Sequence, residues 1–181
     1  MNLQSVIRSL LITTLLTFLP GFSNPGFTDV KKIRLMFYNV ENLFDTVNDY
    51  ATEDEEFLPE GSRGWSRSRY LRKLTNIYRA VVTSGEGDLP ALCGLCEVEN
   101  RGVLEDLLNL TPFNGKYSFG IVHEDSDDSR GIDVCLIYRK DILTLEHARY
   151  IFPEDLRKKG FRSRSILYTK WNWCGTSFHL F

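Results

Sequence analysis

Two residues stand where strand-like apolar runs end, and their types suit metal-assisted chemistry. Phe37-Tyr38-Asn39-Val40-Glu41-Asn42 puts Asn39 at the C-terminal end of one run, and Leu95-Cys96-Glu97-Val98-Glu99-Asn100 puts Glu97 at the same end of another. A carboxylate emerging from an apolar run has to be paired or bind a cation, because leaving it alone in a dry environment is costly. An amide oxygen and a carboxylate are hard ligands. They suit Mg²⁺ or Mn²⁺, which keep several waters and meet phosphate oxygens. The plainer reading has Asn39 satisfying a turn and Glu97 pairing with a buried arginine. Glu41 and Glu99 would share a side with Asn39 and Glu97 only if the strands ran on, and a turn is expected at both places.

The elements that must position these residues read as β-α-β-α followed by a β-meander, a pattern that fits a mixed sheet flanked by helices. Ile33 to Val40 is almost continuously apolar, as in a central strand covered on both faces. Leu71, Leu74, Ile77, Tyr78, Val81 and Val82 recur at helical spacing, with Ser66 to cap the helix and Gly85 to end it. Leu89 to Cys96 is a second buried strand. Asn100 caps a short helix carrying Val103, Leu104, Leu107 and Leu108. Strands are expected over Tyr117 to His123, Ile132 to Tyr138, Leu143 to Ile151, Ile166 to Trp173 and Ser177 to Phe181, with Cys174-Gly175 as a tight turn. If the first two strands are parallel neighbours, Asn39 and Glu97 converge on one crevice, where α/β sheets place ligands.

Three motifs, FYNVENLFD, GLCEVEN and SRGIDVCLIYR, occur in this order and with gaps that make the chain similar to the endonuclease/exonuclease/phosphatase superfamily. Its flavour resembles that of a bacterial exported endonuclease-like group. The resemblance covers Ile33 to Phe181 and implies an α/β (α+β) domain, the N-terminal part of a deoxyribonuclease I-like four-layer sandwich with mixed sheets. It implies that Glu97 binds the catalytic divalent metal, Mg²⁺ or Mn²⁺, and that Asn39 helps to organise the metal and phosphate site. Arg130 either contacts substrate phosphate or pairs with Asp133. The implied reaction is hydrolysis of a phosphate ester, most simply nuclease action on nucleic acid. A lipid or small-molecule phosphodiesterase is the alternative. The resemblance also implies downstream Asp/Asn and Asp-His motifs that the chain lacks, so residues 25–181 read as a partial domain truncated at the C-terminus, or as an inactive fragment. The mechanism would use a metal to neutralise phosphate charge and a histidine-aspartate pair to activate water.

His123, His147 and His179 match no catalytic-histidine motif and read as structural or surface residues. The acidic cluster Glu53 to Glu56 reads as solvated rather than as a calcium loop, since it has no regular alternation of ligands. Arg157-Lys158-Lys159 with Arg162 and Arg164 reads as a solvated loop, with contact to a nucleic-acid backbone as the alternative. Cys93, Cys96, Cys135 and Cys174 lack a second CxxC or a neighbouring histidine, so they read as small hydrophobes rather than a zinc or redox site. A net charge of −2 gives no global attraction to a polyanion. Residues 1–24 carry Arg8, then the apolar run Leu10 to Leu19, then Pro20-Gly21-Phe22-Ser23. That order is a secretory signal, which predicts export to the periplasm or beyond and no stable membrane span after cleavage.

Overall fold

The computed structural model describes residues 32–85 and 88–181. The signal-like segment 1–24 lies outside the described residues. The first sheet contains β1 (Leu35–Leu43), β2 (Leu92–Val98), β3 (Phe119–Val122) and β4 (Asp133–Arg139), in the order β1-β2-β4-β3. β1 and β2 run parallel, as expected, and β4 is antiparallel to β2 and β3. The second sheet, β5 (Thr144–Ile151), β6 (Ile166–Trp173) and β7 (Thr176–Leu180), is antiparallel throughout. Cys174 and Gly175 close the β6–β7 turn at φ 50° and 83°. Two consecutive positive φ values are what a two-residue hairpin turn of the I′ type requires.

Strand alternation divides the core. Cys93, Leu95, Cys135 and Ile137 face helix α1 (Arg67–Ser84) and helix α2 (Arg101–Asn109), packing with Leu74, Ile77, Val81, Val103, Leu104 and Leu107. Leu92 and Leu136 face the second sheet and pack with Leu167 and Trp171, the latter fully buried. Tyr138 meets Trp171 edge-on at 4.7 Å. Helices, mixed sheet and antiparallel sheet thus form three successive layers of an α/β sandwich. Asn100 caps α2 as anticipated, its Oδ1 accepting from the Val103 N–H at 3.0 Å. Ser66 occupies the cap position of α1 but makes no capping bond; its hydroxyl meets Ser68 Oγ instead.

Two expectations need correction. β1 reads as a central strand, yet among the described residues it pairs only with β2 and lies at the sheet edge, with Phe37 65% exposed. Its alternate residues Met36 and Tyr38 pack on the helical core, so one covered face is enough to account for half of the apolar run. The basic stretch read as a loop contains a short helix, α3 (Glu154–Lys158), with Glu154 and Asp155 in its first turn and Arg157 and Lys158 in its last. That charge order complements the helix dipole.

Candidate metal and phosphate site

Parallel pairing aligns Asn39 with Cys96 and brings the ends of β1 and β2 side by side. The Asn39 Nδ2 donates to Glu97 Oε1 at 2.9 Å, while its Oδ1 accepts from the Glu41 N–H at 2.8 Å. The second bond fixes the amide orientation, since a backbone N–H has to face the oxygen. Asn39 therefore presents its amino group to the carboxylate and holds it in place; the free ligand atom of the pair is Glu97 Oε2.

Backbone irregularities create this geometry. Glu41 and Asn42 take φ 56° and 63°, and Glu97 itself takes φ 64°. The β1–β2 ladder shifts register between Asn39 and Leu43, and the β2–β4 ladder shifts between Cys96 and Val98. Left-handed conformations cost residues with a Cβ about 1–2 kcal/mol each. Such strain concentrates where function needs a side chain re-aimed.

Positive groups surround the pair. Lys73 of α1 donates to the Glu41 carbonyl at 3.0 Å and lies within electrostatic reach of Glu97. Burial lowers the Lys73 pKa, against the opposing pull of Glu41 and Glu97. Arg130 is also within electrostatic reach of Glu97. Its partner is Asp128, through Nε at 3.0 Å and Nη2 at 2.8 Å, and not Asp133. Asp133 is buried on β4 and turned to His123, whose Nε2 lies 3.0 Å away. Asp128 is buried, which would raise its pKa, but its bonds from Arg130 outweigh this and lower it. The Arg130 side chain stays 57% exposed beside the cleft. Arg164 reaches Cys96 and Asp128 electrostatically, and Arg162 donates to the Asp127 carbonyl at 3.1 Å. The basic stretch therefore borders the site. Beside Asn39, a groove of about 380 Å³ runs between the two sheets, lined by Phe37, Gly94, Cys96, Ile166, Leu180 and Phe181 among others.

Glu97 is only half-buried, whereas Glu99, expected in a turn, is 7% exposed. Burial pushes the Glu99 pKa up to about 8, against the bond from the Asp45 N–H and with Asp45, Asp54 and Asp49 adding to the rise. Asp54 is 1% exposed, so the solvated reading holds for Glu53, Glu55 and Glu56 and fails for Asp54. Sequence reasoning missed both buried acids; the only signal is that each directly abuts a segment which turns inward.

His123, Asp125 and Asp133 form the one His/Cys/Asp/Glu cluster among the described residues with its ligand atoms close together. Asp133 faces Nε2 and Asp125 faces Nδ1, so the carboxylates take opposite ring nitrogens. This is a chain of hydrogen-bonding groups, and His123 is structural as expected. His147 and His179 sit around Tyr168 on the outer face of the second sheet, Tyr168 Oη lying 2.9 Å from His179 Nδ1. All four cysteines are free, and burial drives the Cys93 pKa up to about 12. A thiol held protonated in this way is an inert hydrophobe. No helix of the described residues is long and apolar enough to cross a membrane.

No curated protein matches the chain. Among solved structures it is similar to humanized D. rerio TDP2 carrying 14 mutations, at 12% identity and a TM-score of 0.45, over 81% of this chain and 44% of that one. It thus spans less than half the length of that relative. A family model matches residues 34–181, nearly all of the described chain and all three motifs that carry Asn39, Glu97 and Arg130. The chain belongs to the Endonuclease/Exonuclease/phosphatase family.

Proposed function

We propose that this domain serves metal-dependent hydrolysis of phosphate esters, with nucleic acid as the leading substrate. The observation that carries the reading is the Asn39–Glu97 pair: a carboxylate fixed on one oxygen, its other oxygen free, set at the crevice end of two parallel strands. The donor set fits a hard divalent ion such as Mg²⁺ or Mn²⁺, since Glu97 Oε2 is an anionic oxygen without a hydrogen bond and no thiol or imidazole competes. When bound there, such an ion supplies charge neutralisation at the phosphoryl oxygens and acidifies a coordinated water.

The chain's own residues do the rest. Asn39 orients the Glu97 carboxylate. Lys73 keeps positive charge behind it, and Arg130, anchored by Asp128, offers its exposed guanidinium to a phosphate oxygen. His123 is committed to Asp133 and takes no general-base role. The apolar groove beside Asn39 favours, as a second reading, a phosphodiester that carries an apolar group. The composition of residues 1–24 supports export to the periplasm or beyond.

The test is plasmid nicking and cleavage of a lipid phosphodiester with Mg²⁺, Mn²⁺ or EDTA, in wild type and Glu97→Gln. Metal-dependent nicking lost in Glu97→Gln supports the nuclease reading, and lipid cleavage alone supports the second. Full activity in Glu97→Gln removes Glu97 as the metal ligand. Folded protein inactive on both substrates makes these 181 residues a non-catalytic fragment.

A further inference from the structure

We propose that the loop from Asp45 to Asp54, together with Glu99, forms a second divalent-cation site of the calcium class, separate from the one at Glu97. Asp54 is 1% exposed, and its Oδ1 is buried without a hydrogen-bond partner, while its Oδ2 accepts from the Asp49 N–H at 3.0 Å. The Asn48 Oδ1 is likewise buried and unpartnered. Glu99 is 7% exposed, and its Oε2 accepts from the Asp45 N–H at 2.6 Å. The charged groups that act on Glu99 are Asp45, Asp54 and Asp49, all of them acids. Four carboxylates and an amide oxygen thus gather in one partly dry place, and two of the oxygens have nothing to bond. Buried carboxylates without a counter-charge are what protein interiors avoid, and a bound cation resolves the conflict.

The chemistry selects the ion class. The donors are all oxygens, which excludes a preference for zinc or copper. They come mainly from one short loop, shaped by the Asp45 Oδ1 bond from the Val47 N–H at 2.6 Å and the Asp49 Oδ1 bond from the Ala51 N–H at 2.9 Å. Ca²⁺ takes many carboxylate and amide oxygens in irregular geometry, whereas Mg²⁺ demands a strict octahedron and keeps its waters. The loop is tied to the candidate active site at two points. Glu99 lies two residues beyond Glu97, and the Glu53 N–H donates to the Ser129 carbonyl at 2.9 Å, next to Arg130. Ca²⁺ here would lock the frame that holds Glu97 and Arg130.

The test strips the 181-residue chain with EDTA and titrates it with Ca²⁺ by calorimetry, with melting followed in parallel, in wild type, Glu97→Gln, Asp54→Asn and Asp49→Asn. Glu97→Gln is expected to keep Ca²⁺ binding, which separates this site from the catalytic one. Asp54→Asn is expected to weaken it roughly tenfold or more, since charge count sets affinity in such sites. The same substitution relieves repulsion, so it raises the melting temperature of the metal-free chain and abolishes the rise on adding Ca²⁺. Should Asp54→Asn fail to fold, weakened binding in Asp49→Asn carries the test, and unchanged affinity there overturns the proposal. It is also overturned if Glu97→Gln loses Ca²⁺ binding, if folded Asp54→Asn binds Ca²⁺ as tightly as wild type, or if Mg²⁺ raises the melting temperature as much as Ca²⁺ does.

Discussion

Replacing Glu97 by glycine and by alanine separates what its backbone costs from what its side chain does. Both variants lose the carboxylate and the 2.9 Å bond from Asn39, so these losses cancel between them. The backbone remains, at φ 64°. Alanine there bears about 1–2 kcal/mol of left-handed strain. Glycine avoids the strain and instead loses about 0.5–1 kcal/mol of extra chain entropy on folding. Glu97→Gly is therefore expected to be more stable than Glu97→Ala by about 0.5–1 kcal/mol. At this chain length that is roughly 1–4 °C in melting temperature. Both variants should lose metal-dependent hydrolysis to the same extent, by on the order of a hundredfold or more, because the ligand is gone from each. Differential scanning fluorimetry and urea melts measure the first expectation, and a nicking assay the second. If Glu97→Ala melts at or above Glu97→Gly, residue 97 is not held in a strained conformation, and the claim that a bulge aims its carboxylate fails.

Asn100→Ala removes both the Val103 cap bond and the donor to Asp45, and should cost about 1 kcal/mol in a urea melt; an unchanged midpoint would remove the cap from the account. Gly131 sits at φ 63°, and a Cβ there would come within 2.8 Å of the Thr52 side chain, so Gly131→Ala should destabilise by roughly 1–3 kcal/mol and disturb Arg130 next to it. The Arg139 guanidinium, 2.6 Å from Asp141, holds that carboxyl below its ordinary value. A depressed carboxyl stabilises the fold above its unfolded pKa of about 3.9, and that contribution is lost as pH falls through the lower folded value. Asp141 is 45% exposed, so the effect is small: in melts taken below about pH 4, Asp141→Asn should lose less stability on acidification than wild type. A parallel acid limb in the two proteins would contradict this.

Much of the frame is legible because burial writes itself into apolar periodicity. The α1 stripe, the parallel β1–β2 pair and the meeting of Asn39 with Glu97 all follow from runs that end in a polar residue. The corrections come from features that leave no such trace. Arg130 has acids at positions 128 and 133 within reach along the sequence; Asp133 is taken by His123 because strand β4 points it inward, which leaves Asp128 for the guanidinium. Asp54 lies among exposed acids and reads like them, yet it alone of Glu53 to Glu56 is buried. β1 is apolar on both sides although its ladder shows one partner strand among the described residues.

The different fates of Glu97 and Glu99 depend on one backbone event. In a regular strand, residues two apart point to the same face. Continued alternation would therefore set both carboxylates together, where like charges repel. The left-handed turn at Glu97 and the register shift between Cys96 and Val98 break the alternation. Glu97 goes to Asn39, with Lys73 and Arg130 nearby, while Glu99 goes to the Asp45 N–H and the acidic loop. The strain at residue 97 thus has a chemical consequence: it leaves one carboxylate accessible among cations and buries the other among acids. Removing that strain with glycine while keeping Glu99 should leave the acidic loop and its Ca²⁺ affinity intact. A Glu97→Gly variant that loses both hydrolysis and Ca²⁺ binding would mean that the two carboxylates act as a single site.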